Sequence, residues 1–212
     1  MSTGLLDVLD PSTRSLLATR LATRRFRRGD VVFHEGDRGD CLYLVARGRF
    51  AVHVSSHNGI EMIVRVVQPN EFFGELALVQ PDYRRNARLT ALEPAETLVL
   101  HRDDFEDVRR HRPDVDRLLV TVLAQRVRAM TIERADSLLA PERRVLRHLA
   151  VLADAYGDEP IQLTQDDLAA IAGTVRQTAN RALCRAQQAG AIERHRGAIR
   201  VIDRAALRQL DR

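Results

Sequence analysis

Between Phe26 and His101 apolar and polar residues come in short runs: DVVFH, CLYLVARGRFAVHV, EMIVRVVQ, ARLTALEP and ETLVLH. β-branched residues crowd these runs, and the turn-forming stretches HEGDRGD, SSHNG and QPNE separate them. Many short strands about ten residues apart predict a small barrel or sandwich. Ahead of them, residues 5–23 space their apolar positions as short amphipathic helices. Beyond them the period changes. From Pro113, apolar residues fall at Val115, Leu118, Leu119, Val122, Leu123, Val127 and Met130, which predicts a helix reaching about Leu138. At 1.5 Å per residue it spans roughly 35 Å, and it packs either on its own barrel or on its copy in a dimer. Pro141 then suits the first position of another helix, ERRVLRHLAVLADA, ending near Gly157.

Past Gly157 the pattern acquires chemistry. Thr164 with Asp167 three residues on has the form of a helix cap, and that helix stops at Gly173. A second helix is predicted over about Val175 to Gln188, with Val175, Ala179, Ala182, Leu183 and Ala186 as its apolar stripe. Arg176, Gln177, Asn180, Arg181, Cys184 and Arg185 take the other face, which presents groups able to pair with base edges and phosphates. Residues 168–192 contain no acidic residue, as expected of a surface that approaches a polyanion. AIERHRGAIRVID then reads as two short strands around Arg196-Gly197, a wing with further cations.

Composition changes this picture little. All 33 basic residues are arginine, and the net charge of +4 is too mild to identify a nucleic-acid partner by itself. Cys41 and Cys184 stand far apart without metal or disulfide spacing, Cys41 reading as a core residue in an apolar strand, so a reducing cytoplasm is the expected compartment. MSTGLLDVLD lacks the features of a signal peptide, and no apolar run approaches the roughly 18 residues of a membrane span. The histidines (His34, His53, His57, His101, His111, His148, His195) are scattered without HExxH spacing, and no nucleophile–base constellation points to an enzyme.

LTQDDLAAIAGTVRQTANRAL resembles the helix-turn-helix of the CRP/FNR family of bacterial transcription regulators, whose second helix enters the major groove with an R-E-T-x-x-R pattern. Arg176, Gln177, Thr178 and Arg181 match that pattern, except that Gln177 replaces the usual Glu. An amide pairs with adenine where a carboxylate accepts from cytosine, so half-sites altered at one base pair are expected. FRRGDVVFHEGDRGDCLYLVARGRFAVHV, with Gly36, Tyr43 and Gly48, resembles the start of the family's cyclic-nucleotide-binding β-roll. FGELALVQPDYRRNARL resembles its phosphate-binding cassette.

The resemblance covers about residues 5–208. It implies an α+β chain: an N-terminal double-stranded β-helix (jelly-roll-like) cyclic-nucleotide-binding domain over 1–112, a long dimerisation helix over 113–139, and a C-terminal winged helix-turn-helix over 140–212. It further implies a cytoplasmic homodimer that binds double-stranded DNA and RNA polymerase under control of a small-molecule effector. The implied effector is cAMP. Heme or iron–sulfur sensing, known elsewhere in the family, needs ligands this chain lacks, with no cysteine cluster near its N-terminus, so no metal, heme or iron–sulfur cluster is expected, nor any membrane contact. Glu75 would meet the ribose, Arg85 the cyclic phosphate, and Gly74, Leu76, Asn86, Ala87 and Thr131 would complete the pocket. Asn86 departs from the Ser or Thr usual in cAMP-binding members, and Met130-Thr131 replace an adjacent hydroxyl pair. The alternative is a degenerate pocket in which Glu75 and Arg85 form a structural salt bridge and the regulator needs no ligand. DNA contacts are implied for Thr164, Thr174, Arg176, Gln177, Thr178, Asn180, Arg181, Arg185 and Arg196.

Overall fold

The computed structural model describes residues 9–55, 61–80, 82 and 84–210. Most of the SSHNG turn with His57, the start of the expected N-terminal helices, Pro81 and Tyr83 lie outside these residues. The chain divides into two compact units, residues 1–54 with 66–130 and residues 55–65 with 131–212.

Asp10 opens α1 (Pro11–Ala18) by accepting a hydrogen bond from the Thr13 amide, with Pro11 in the first turn. The chain then passes through β1 (Ala22–Phe26), β2 (Val31–Phe33), β3 (Cys41–Arg47), β4 (Phe50–Ser55), β5 (Glu61–Val67) and β6 (Phe72–Phe73). One turn of helix, α2 (Leu76–Val79), leads to β7 (Arg88–Ala91), β8 (Ala95–His101), α3 (Arg102–His111) and α4 (Pro113–Asp136). Two four-stranded sheets form, ordered β1-β8-β3-β6 and β2-β7-β4-β5. Phe26, Tyr43, Val45, Phe50, Val67, Phe73 and Leu89 share one buried cluster, where Phe26 meets Phe50 edge-on and Tyr43 stacks on Phe73. A second cluster joins Leu44, Phe72, Leu78 and Leu100 to Phe105 and Val108 of α3 and to Val115, Leu118, Leu119 and Val122 of α4.

Two expectations need correction. Ala22 and Thr23 belong to a strand rather than to the helical stretch. β1 is exposed everywhere except Phe26, so it carries no alternation to read. The apolar positions of α4 also form two faces, not one. Val115, Leu118, Leu119 and Val122 are buried, whereas Val120, Val127 and Met130 are about two-thirds exposed, at 66%, 64% and 65%.

In the second unit, α5 (Pro141–Tyr156) starts at Pro141 and is followed by Gly157, as expected. α6 (Gln165–Ile171), α7 (Arg176–Gln188), the hairpin β9 (Ile192–His195) with β10 (Ala198–Val201), and α8 (Arg204–Leu210) complete it. Thr164 and Asp167 form a reciprocal capping box at α6, of a kind worth about 1 kcal/mol. Gly197 takes the left-handed φ of +73° that closes the hairpin. An isolated Ile161–Ile199 bridge ties the segment ahead of α6 to the wing. Leu146, Leu149, Leu168, Ala179, Ala182, Leu183, Ile192 and Leu207 fill the interior. Among the described residues no helix is long and apolar enough to cross a membrane.

Candidate functional site

The first unit gathers four of its arginines around the loop from Phe72 to Ala87. Gly74 holds φ +84°, and a Cβ there would stand 2.5 Å from Arg85 Nη1, so its lack of a side chain makes room for the guanidinium. Arg85 is 4% exposed. Its Nη1 donates to the Gly74 carbonyl and its Nη2 to the Cys41 carbonyl, both at 2.8 Å. The charge lies 4.4 Å over the Phe33 ring and 5.8 Å from that of Tyr43. None of these partners is a carboxylate, and the buried Nε has no hydrogen-bond acceptor. Arg84 donates to the Gly36 carbonyl at the rim. Burial raises the Cys41 thiol, and burial together with the Cys41 hydrogen bond pushes the Tyr43 phenol up to about 12.

Glu75 is buried too, at 1% exposure, yet it does not pair with Arg85. Its Oε1 accepts from Arg126 Nη1 on α4, while Oε2 is buried without a hydrogen-bond partner. Arg126 is anchored in turn by donating to the Phe72 carbonyl at 2.7 Å. Arg102 donates to the carbonyls of Gly39 and Ala77. The salt-bridged degenerate pocket expected as the alternative is therefore not the observed arrangement. Leu76 begins α2 half-buried, Ala87 is buried and Asn86 is exposed. Thr131 is exposed on α4 in the second unit. Arg126 was missed, although it left a signal. It takes the i+4 position after Val122, where the buried stripe of α4 calls for an apolar residue. A cation at such a position needs a buried acid.

The second unit exposes the arginines expected at DNA. Arg176, Gln177, Arg181 and Arg185 are exposed on α7, and Arg196 is exposed at the hairpin turn. Thr174 is half-buried just before the helix. Four residues differ from expectation. Thr178 is buried on the inner face of α7, which takes it off the exposed surface, and Val175 is 65% exposed rather than part of the buried stripe. The Thr164 hydroxyl accepts from the Asp167 amide and donates to the Asp167 carboxylate, so its hydrogen serves the α6 cap. Asn180 Oδ1 accepts from Arg194 Nη2 at 2.9 Å, which leaves Asn180 its NH₂ donors and engages one of the two lone pairs of the oxygen that bidentate adenine pairing uses. Arg194 Nη1 also donates to Cys184 Sγ at 3.3 Å.

The absence of acid along residues 168–192 does not survive folding. Asp166 Oδ2 lies 3.1 Å from Arg176 Nη1, and Glu142 of α5 reaches both Arg181 and Arg185. Linear sequence could not show this, because Glu142 lies on a different helix.

A β-roll with a buried arginine, and a winged helix-turn-helix with an exposed one, define a class: a sensory domain combined with a DNA-binding domain. Comparison gives the particular family. Residues 23–112 match the cyclic nucleotide-binding domain, and residues 143–210 match the Crp-like helix-turn-helix domain. The CRP-like cAMP-activated global transcriptional regulator of Mycobacterium tuberculosis is 30% identical over 212 residues, covering 96% of this chain and 91% of its own. The cyclic AMP receptor protein of Thermus thermophilus is 32% identical over 210 residues, covering 97% and 95%. The crystal structure of the Thermus thermophilus catabolite activator protein is 29% identical, covers 99% of this chain and 98% of its own, and has a TM-score of 0.56. FixK2 from Bradyrhizobium japonicum shares the fold, with a TM-score of 0.77 at 18% identity over 91% of this chain and 98% of its own. The chain belongs to the CRP/FNR family of transcription regulators, whose members are not enzymes.

Proposed function

We propose that this regulator is a cytoplasmic homodimer that binds a specific DNA sequence under control of a cyclic nucleotide, cAMP, and acts with RNA polymerase. The observation that carries the sensing half is Arg85, a buried cation held by carbonyl dipoles and ring faces with no carboxylate to balance it. A small anion supplies that balance, and a planar guanidinium with a free Nε suits a phosphate. Glu75 Oε2, buried without a donor, suits a ribose hydroxyl. Two relatives named for cAMP over nearly the whole chain support the same ligand.

The exposed α7 cations and the wing support the DNA half, with Arg176, Gln177, Arg181, Arg185 and Arg196 as contacts. Val120 and Val127 are seven residues apart and Met130 follows three later, the spacing of a coiled-coil seam. That stripe supports pairing of α4 with its copy, which would set two α7 helices about 34 Å apart on successive major grooves. The division into domains 1–112, 113–139 and 140–212 is part of this proposal. The ligand shifts the dimer only through a difference in affinity between its arrangements.

One observation favours a second reading, a regulator that needs no ligand: Arg126 already occupies Glu75 Oε1, and carbonyls already hold Arg85. Selection of duplexes from a random pool, with and without cAMP, separates the two. Enrichment of a palindrome only with cAMP supports sensing, equal enrichment without it supports the second reading, and no enrichment removes the DNA-binding role.

A further inference from the structure

Glu142 opens α5, and its two carboxylate oxygens divide between two arginines of α7. Oε1 lies 2.9 Å from Arg181 Nε, and Oε2 lies 3.5 Å from Arg185 Nη1. The approach to Arg181 is side-on. It engages Nε and leaves the two Nη nitrogens at the tip, the pair that reads the O6 and N7 atoms of guanine. Among the described residues, the hydrogen bond at that tip is a long one, 3.4 Å from Nη2 to Thr178 Oγ1. Arg176 is held differently: Asp166 takes one of its two terminal nitrogens, Nη1, so an incoming base must share that end of the guanidinium with a carboxylate. DNA can engage the tip of Arg181 while Glu142 stays in place.

We propose that Glu142 is a positioning residue that sets base specificity. It holds Arg181 in a reading posture and keeps negative charge beside two cations one helical turn apart. Without it, both would be drawn to phosphates of any sequence. The inference rests on the DNA-binding reading above. A purely structural role exists for the same residue, since an acid in the first turn of α5 favours that helix through its dipole. Such a role is indifferent to DNA sequence, and that difference is what the test reads.

Full-length wild type, Glu142→Gln, Arg181→Ala and the double variant are titrated by fluorescence anisotropy across a salt series with cAMP present. The duplexes are one selected by the wild type from a random pool, its single-base variants, and an unrelated sequence. Glu142→Gln should bind the unrelated duplex several-fold tighter, with a salt slope steeper by about 0.9. It should also lose about tenfold in preference at one base pair. Arg181→Ala should relax the same base pair, and in the double variant the loss of Glu142 should add nothing there. Full retention of the preference by Glu142→Gln overturns the proposal, as does a uniform loss at every position with a lowered melting temperature. A wild type that selects no sequence overturns the DNA-binding reading itself, and this inference with it.

Discussion

Arg85 and Arg181 carry the same guanidinium into opposite surroundings. Arg85 is 4% exposed and answers to two carbonyls and two aromatic rings. The Arg181 side chain is 60% exposed and leans on one carboxylate from another helix. Burial makes a charge costly unless it is compensated, so the first site favours one small anion at one fixed place. At the surface water screens the ion pair, which contributes only about 0–1 kcal/mol, and the guanidinium tip stays open to a long polyanion. On the proposed function, the first unit would use arginine to sense and the second would use it to read.

Loss of Arg126 should break the comparison most severely. Arg126→Ala strands the Glu75 carboxylate in the interior and should cost roughly 3–5 kcal/mol in chemical denaturation. Adding Glu75→Gln should restore much of that loss. An Arg126→Ala protein as stable as wild type would show that the interior charge is not held by this pair. Arg85→Ala comes next. It leaves the Gly74 and Cys41 carbonyls without their donor, so stability should fall by roughly 2–4 kcal/mol and the nucleotide response should disappear.

Arg181→Ala should do the reverse. Unfolding should shift by less than about 0.5 kcal/mol, while specific DNA binding weakens by about 1–3 kcal/mol. Equal loss on every sequence would make Arg181 a phosphate contact. The smallest effect concerns the thiols, one beside an arginine in each unit. Cys184, half-buried on α7, should be alkylated in the native protein at pH 8. Burial raises the Cys41 thiol, which lowers its thiolate fraction at that pH, so Cys41 should react only on unfolding. Equal rates would mean that water reaches the surroundings of Arg85.

Local signals were legible before the fold. Pro141, Gly157, the Thr164–Asp167 cap and the Arg196-Gly197 turn all act within a few residues of themselves. β1 was hidden because four of its five residues face solvent. On the long helix the apolar spacing merged two faces, since residues at 3.5- and 3.6-residue periods drift apart only slowly. At the candidate site the eleven-residue step from Gly74 located Arg85, while the alternative that paired it with Glu75 missed the acid's partner in space. The acid's partner, Arg126, stands 51 residues from Glu75 and arrives only when α4 packs. Glu142 was invisible for the same reason. A window along the chain registers neighbours in sequence, and the acid-free stretch acquires its carboxylates in space.

The central claim is that Arg85 is a buried cation awaiting an anion. Calorimetric titration of the purified full-length protein with cAMP tests it most directly. The account predicts saturable heat for the wild type and its loss in Arg85→Lys, whose single ammonium cannot grip two phosphate oxygens at once. No heat from the wild type at millimolar cAMP, or undiminished affinity in the lysine variant, would contradict it.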